Sequence, residues 1–344
     1  MSSREQKLDA HARPPEELKS FYKKYQKLKA NALAEDDALI DLTRIDSYNA
    51  LKLSRDINYK GDVSVTEDSS QFPRCQLVEN FRAHCRGTIQ EFVHRDMPGL
   101  KIIPNLLPKC TQVDLLNALV HRDVSNPAHQ SNLHLHYNVQ YPAQHASFFS
   151  LDPSLADCIQ EPKDPSVHKP LSTQHMLNKK LRWITLGGQY DWTNKVYPSE
   201  QPPQFPPDLA ELLRVMFPQM IPQAAIVNFY SPGDTLSLHR DVAEECSRGL
   251  ISLSIGCDGI FVLGLEGKMV AMRLRSGDAV YMDGASRYAW HGVPQIIPNT
   301  CPEWLRDWPG DQFQAWRGWM ASKRVNLNVR QIWDQNEDDQ RIEL

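Results

Sequence analysis

Leu250-Ile251-Ser252-Leu253-Ser254-Ile255-Gly256, Ile260-Phe261-Val262-Leu263-Gly264-Leu265 and Met269–Leu274 follow one another with only short Gly-, Asp- or Lys-containing breaks. Each run is long enough for a strand and too short for a helix. Working outward, further strand-like runs stand at Ala279–Met282, Leu181–Leu186, Ala224–Tyr230 and Arg324–Ile332. Only Pro207–Met216 reads as a helix inside this half. Closely spaced strands without intervening helices predict an antiparallel sandwich or jelly-roll barrel. The fold class expected is therefore mainly β with flanking helices.

The chain has 344 residues and a net charge of −4, with 41% hydrophobic and 23% charged residues. Such a chain buries a large core without disulfides or a structural metal. A negative balance excludes a binder driven by bulk positive charge, so any nucleic-acid contact must use a local patch. No run approaches a membrane span, and the first thirty residues lack an apolar signal core. Seven cysteines without a CxxC pair suggest reduced thiols inside the cell. The expected compartment is nucleus or cytoplasm, with the mitochondrion left open.

Four regions are expected: an amino-terminal helical and irregular extension (1–98), a strand and helix followed by a poorly ordered insertion (99–180), the β domain (181–333) and an acidic tail (334–344). Residues 14–34 read as one helix, opened by Pro14-Pro15 and carrying Leu18, Phe21, Tyr22, Tyr25 and Leu28 at helical spacing. Its other face is basic: a solvated face docked on the domain, or an arm facing nucleic acid. Gly99–Pro104 reads as a strand and Leu106–Val120 as an amphipathic helix. Residues 121–180 show little periodicity, and their His134-Leu135-His136 pair lacks a sensibly spaced carboxylate.

The chemistry concentrates in Leu238-His239-Arg240-Asp241. Residues two apart on an extended segment share a face, so His239 and Asp241 make two thirds of a facial metal triad of the kind that holds Fe(II). An HxD pair also arises by chance. A third ligand must come from a distant strand, and His291 is the candidate. Arg324-Val325-Asn326-Leu327-Asn328-Val329-Arg330 alternates polar and apolar without a fault. It is either an edge strand with one face in water or a strand whose polar face binds something. An arginine fork matches a carboxylate, so two Arg and two Asn suit a small dicarboxylic acid. Asn228 and Tyr230 share a face and add a matching polar pair.

Asn228-Phe229-Tyr230, Pro232-Gly233 and Leu236–Asp241 resemble the AlkB family of Fe(II)/2-oxoglutarate dioxygenases. The resemblance continues through Leu250–Gly256, Ile260–Gly264, Ser276-Gly277-Asp278, Ser286-Arg287 and His291–Pro294 to Arg324–Arg330. It covers about residues 181–333 with every element in family order. Arg324-Val325-Asn326 and the helix bearing Phe21-Tyr22 look most like the eukaryotic AlkB homologue 1 branch. One departure is Leu265 after Gly264, where the family often has Gly-Gly.

The resemblance implies a double-stranded β-helix core, with Fe(II), 2-oxoglutarate and O₂ as cofactor and cosubstrates. His239, Asp241 and His291 would be the iron ligands. Arg324 would pair with the distal carboxylate of 2-oxoglutarate. Asn228, Tyr230 and Asn326 would hydrogen-bond it, and Arg330 would sit near its metal-proximal end. The implied activity is oxidative demethylation of bases in tRNA or DNA, releasing succinate, CO₂ and formaldehyde. A protein demethylase or hydroxylase using the same iron site, and a non-catalytic binding module, are the alternatives. The substrate lid would be 181–198, with Trp183, Tyr190, Trp192 and Tyr197 stacking on a base. Lys163, Lys169, Lys179, Lys180 and Arg182 against Asp164 form the best phosphate patch, with Lys179 and Lys180 chosen as backbone contacts.

Overall fold

The computed structural model describes residues 8–59, 75–85, 87–153, 159–198 and 201–334. The acidic tail beyond 334 lies outside these residues. The strands, in chain order, are β1 (Leu39–Asp41), β2 (Leu51–Ile57), β3 (Ile89–His94), β4 (Met97–Ile103), β5 (Tyr137–Asn138), β6 (Ile159–Pro162), β7 (Leu171–Ser172) and β8 (Trp183–Gly187). They continue with β9 (Ala224–Tyr230), β10 (Leu236–His239), β11 (Leu250–Gly256), β12 (Gly259–Leu265), β13 (Lys268–Leu274), β14 (Ala279–Met282), β15 (Trp290–Ile296) and β16 (Arg324–Arg330). A five-stranded sheet has the order β1-β13-β12-β15-β10, an eight-stranded sheet β2-β3-β4-β14-β11-β16-β9-β8, and a small sheet β5-β6-β7. The two large sheets form the jelly roll. Its neighbours are antiparallel except β1, which lies parallel to β13.

The amino-terminal part is less separate than its sequence suggests. Residues 39–57 and 89–94 supply strands to both large sheets. Residues 121–180, expected as a poorly ordered insertion, carry short helices and the small sheet, and bury Phe148, Phe149, Leu171, Met176 and Leu177. What holds them is contact with the equally irregular 298–320. Phe149 sits 5.1 Å from Trp316 and 5.3 Å from Trp319, ring to ring. The indole N–H groups of Trp308, Trp316 and Trp319 donate to Asn117 Oδ1, the Leu151 carbonyl and the Leu177 carbonyl. Two stretches without periodicity thus make one apolar body.

The predicted helix at 14–34 divides into α1 (Glu16–Lys27) and a short helix Ala30–Glu35. No Gly or Pro marks the break. Gln295 on β15 makes it: its amide donates to the carbonyls of Tyr25 (3.1 Å) and Leu28 (2.9 Å), taking up helix-end acceptors that would otherwise be orphaned. Leu18, Tyr22 and Tyr25 are buried against Ile260, Val262 and Ala271 of the five-stranded sheet and Ile297 just past β15. Burying three such side chains contributes about 5 kcal/mol. Gly264 makes the approach possible, because a Cβ there would stand 2.5 Å from Leu18 Cδ2. The helix is docked, as the first of the two sequence readings has it.

Sequence reading missed β10 and β15 as strands. β15 contains Gly292 and Pro294, both poor strand residues. It survives because its pairing with β12 slips between Ile260 and Val262, a bulge that absorbs the missing Pro N–H.

Candidate metal centre and cosubstrate strand

β10 and β15 are antiparallel neighbours with His239 directly opposite His291. Adjacent strands in this register bring the two imidazoles together, with ring centroids 4.3 Å apart. Asp241, just past the end of β10, closes the group. One ligand atom from each of the three lies within 4.8 Å of the others, and this is the only such cluster of three among the described residues. His239 Nε2 is 3.8 Å from Asp241 Oδ1, and His291 Nε2 is 4.0 Å from Asp241 Oδ2.

Both histidines are aimed by their own strands. His239 Nδ1–H donates to the Ser237 carbonyl (2.9 Å) and His291 Nδ1–H to the Ala289 carbonyl (3.0 Å). A carbonyl can only accept, so Nδ1 carries the proton and the Nε2 lone pair faces Asp241. Burial pushes the His291 pKa down to about 4, which keeps its ring neutral. Burial alone would raise the Asp241 pKa. The Arg330 guanidinium, with Arg287 behind it, outweighs burial and holds the carboxylate well below its usual range. Two imidazole Nε2 atoms and an anionic carboxylate are a donor set that suits Fe(II).

β16 supplies the other half. Its polar face turns into the space between the sheets, while Val325, Leu327 and Val329 join the apolar cluster that includes Leu209, Leu212 and Leu213 of the helix Pro207–Met216. Most of the polar face is shut off from water: Arg324, Asn326 and Arg330 are 2%, 5% and 3% exposed, and Asn328 is half-buried. Arg330 Nη2 donates to Asp241 Oδ2 at 2.7 Å. Arg324, at the opposite end, donates to Ser254 Oγ (2.8 Å) and the Cys257 carbonyl (3.3 Å). It forms no ion pair among the described residues. Gly259 is the floor of its seat, since a Cβ there would lie 2.9 Å from Arg324 Nε.

Four buried polar atoms are left without hydrogen-bond partners on this face: Arg324 Nε, Arg330 Nε and Nη1, and Tyr230 Oη. Tyr230 lies directly across from Arg324 on β9, and burial raises its pKa, so its hydroxyl keeps its proton. An uncompensated guanidinium beside an unpartnered hydroxyl is a fitting seat for a carboxylate. Asn228 lies opposite Asn326 in the same pairing. Asn326 departs from its expected role. Both hydrogens of its amide are taken, by Ser252 Oγ (3.0 Å) and the Leu253 carbonyl (2.8 Å). Only Oδ1 remains, and an oxygen cannot donate to a carboxylate.

Two residues to which sequence reasoning assigned no role are Glu244 and Arg287, the latter recognised only within the Ser286-Arg287 motif. Arg287 is 1% exposed and donates to the Asp241 carbonyl and to Glu244 Oε2 (2.9 Å). Glu244 Oε1 lies 3.2 Å from Arg330 Nε and accepts from Tyr197 Oη at 3.4 Å. Two arginines and two carboxylates thus neutralise one another around the loop that carries Asp241. A Glu in Asp241-Val242-Ala243-Glu244 carries no periodic signal.

The expected substrate residues divide into two groups. Trp183, Tyr190, Trp192 and Tyr197 form a chain of rings, with centroids 4.9 to 5.3 Å apart from Trp183–Trp192 through Tyr190 to Tyr197. Tyr197 reaches Glu244, so that end of the chain stands at the Asp241 side. Lys179 and Lys180 precede β8, whose Trp183 pairs with Asn228 and whose Gly187 pairs with Ala224. They stand at the Arg324 end of the sheet, as does Trp183, and the chain of rings runs from there to Tyr197 beside Glu244 at the Arg330 end. His134 is not a ligand candidate: its ring nitrogens engage Ser131 and Tyr141.

The model of the 2OG-Fe(II) oxygenase superfamily matches residues 99–330, reaching back beyond the predicted domain start to include β4's end. The chain is 44% identical to the N6-methyladenosine RNA demethylase ALKB1 of Pyricularia oryzae, over 94% of this chain and 98% of that protein. It is 42% identical to the tRNA demethylase abh1 of Schizosaccharomyces pombe, over 70% of this chain and 81% of that protein. Among solved structures, OsALKBH1 aligns over 68% of this chain and 97% of its own, with 21% identity and a TM-score of 0.45.

Proposed function

The chain belongs to the AlkB family within the 2OG-Fe(II) oxygenase superfamily, and from that premise we propose that it oxidatively demethylates methylated bases in nucleic acid, tRNA or DNA. The observation that carries this reading is the joining of the His239–Asp241–His291 cluster to a buried arginine strand with an uncompensated guanidinium at its far end. The names of its relatives support a nucleic-acid substrate over a protein one.

His239, Asp241 and His291 would hold Fe(II) through two Nε2 atoms and a carboxylate oxygen. When bound, the iron with 2-oxoglutarate and O₂ supplies the oxidation that turns an N-methyl group into a hydroxymethyl group, lost as formaldehyde, while the cosubstrate leaves as succinate and CO₂. The protein's own part is positioning. Arg324 and Tyr230 hold the distal carboxylate, Asn228 offers a free amide beside it, and Asn326 braces β11 against β16. Arg330 keeps Asp241 ionised and offers Nη1 to the metal-proximal end. The ring chain Trp183, Tyr190, Trp192 and Tyr197 gives a base a stacking surface beside the metal cluster; Trp192, 40% exposed, is its most open ring. None of the six cysteines among the described residues is joined in a disulfide, which supports an intracellular setting. No helix among these residues is long and apolar enough to cross a membrane.

The test is mass spectrometry of total tRNA, methylated DNA oligonucleotides and histones, each incubated with the protein, iron and 2-oxoglutarate. Formaldehyde release with loss of a methyl mass from a base is the expected outcome. Turnover confined to histones would replace this reading with the protein-demethylase one.

A further inference from the structure

A groove of about 340 Å³ lies at the end of β16 remote from Arg330, and Lys179, Arg317, Lys323, Ser231, Trp316 and Trp319 line it. No acidic residue lines it. Lys323 is 5% exposed, yet every partner it has is neutral. Its ammonium donates to the Asn178 carbonyl (2.7 Å) and Ser231 Oγ (2.9 Å) and sits 5.3 Å from the centroid of the Trp319 ring. An ammonium has three hydrogens, so one remains. The nearby carboxylate, Asp234, is ion-paired with Arg182. Arg317 is likewise matched, by Asp307 and Asp311. Lys179 is exposed and has no ion pair among the described residues.

A buried cation with no counter-ion is costly, and a second free cation beside it makes it costlier. Burial and Lys179 accordingly push the Lys323 pKa down to about 8, still leaving it charged at neutral pH. A bound anion would relieve both charges.

We propose that this groove binds a backbone phosphate of the nucleic-acid substrate, at a distance from the base being demethylated. The inference rests on the nucleic-acid reading above. β16 separates Lys323 from Arg330, and Arg330 touches Asp241; seven residue steps of strand span about 23 Å. The groove would thus engage the backbone several nucleotides from the target. It is an anchoring site that adds affinity for long substrates and no base selectivity.

The test uses the full chain and fluorescence anisotropy with an unmethylated 20-nucleotide RNA across a salt series. Lys323→Gln and Lys179→Gln should each weaken binding severalfold, and each should flatten the dependence of log affinity on log salt by about one unit. If Lys323→Gln lowers the melting temperature too far to be used, the exposed Lys179→Gln decides alone. Undiminished affinity in the variants overturns the proposal. So does stabilisation by inorganic phosphate, lost in the variants while their RNA binding stays intact, because the groove would then serve a small anion. Formaldehyde release by the parent is read separately. A parent that demethylates no nucleic acid, with variants that still lose RNA affinity, would sink the demethylase reading and leave the groove standing.

Discussion

At the scale of single residues, the site depends on which atoms are left without partners. His239 and His291 spend Nδ1 on carbonyls of their own strands, and the lone pairs of Nε2 remain. Replacing His291 with Ala removes one of three donors without opening the apolar core, since its neighbours on β15 and β12 keep their pairing. We expect loss of iron binding and of 2-oxoglutarate turnover with the melting temperature of the metal-free protein nearly unchanged. Full iron occupancy in that variant, measured by metal analysis, would remove His291 from the ligand set. Arg324→Ala deletes the uncompensated guanidinium. A buried charge-assisted pair of this kind is worth about 2–5 kcal/mol, so KM for 2-oxoglutarate should rise at least tenfold while iron affinity holds. Gly259→Ala should produce a milder form of the same defect by pushing on Arg324 Nε. If KM is unaltered in both, another cation holds the distal carboxylate.

At the scale of elements, β16 inverts the usual rule for a half-buried strand. Its apolar residues face the covering helix and its polar residues face the interior, because the interior between the sheets is where the small acid is to be held. The edge of the smaller sheet is secured differently. β1 joins β13 by three residue pairs, and Asp41 at its end receives both Arg275 Nη atoms, at 2.6 and 2.8 Å. Burial opposes ionisation of Asp41, but the Arg275 and Thr43 hydrogen bonds win and hold its pKa far below 3.8. A depressed carboxylate pKa stabilises the folded state above the unfolded value and loses that contribution as pH falls through the folded one. Asp41→Asn should therefore cost about 2 kcal/mol at pH 7. The gap between parent and variant, followed by denaturant midpoint, should stay level from pH 8 to pH 5 and narrow below about pH 4. A gap that widens on acidification would mean that the Asp41–Arg275 pair is not its source.

At the scale of the whole molecule, the jelly roll is stabilised from outside by two irregular stretches that hold each other. Phe149 stands among Trp308, Trp316 and Trp319 and is 2% exposed. Phe149→Ala should cost about 3–5 kcal/mol, the range for an aromatic lost from a packed core. Proteolysis should then cut residues 121–180 first, leaving the strands of the two large sheets protected. Equal protection of that segment in the variant would show that the small sheet β5-β6-β7 holds it without the aromatic cluster.

The sequence by itself determined the strands whose runs are unbroken, the helix Pro207–Met216 and the His239–Asp241 pair, because hydrophobic period and two-residue spacing are local properties. The strict alternation of Arg324–Arg330 also marked a strand with one face reserved, though not which face was inside. Only the tertiary structure decided that. It also decided the position of His291, which depends on a register across β10 and β15, and the end of α1, which Gln295 sets from 267 residues away. The roles of Glu244 and Arg287 were hidden for the same reason: their meaning is a contact with Asp241 and Arg330. The lysines at 179 and 180 and the ring of Tyr197 are near one another in the chain, yet β8 carries them to opposite ends of a sheet, because an extended strand separates what a sequence window joins.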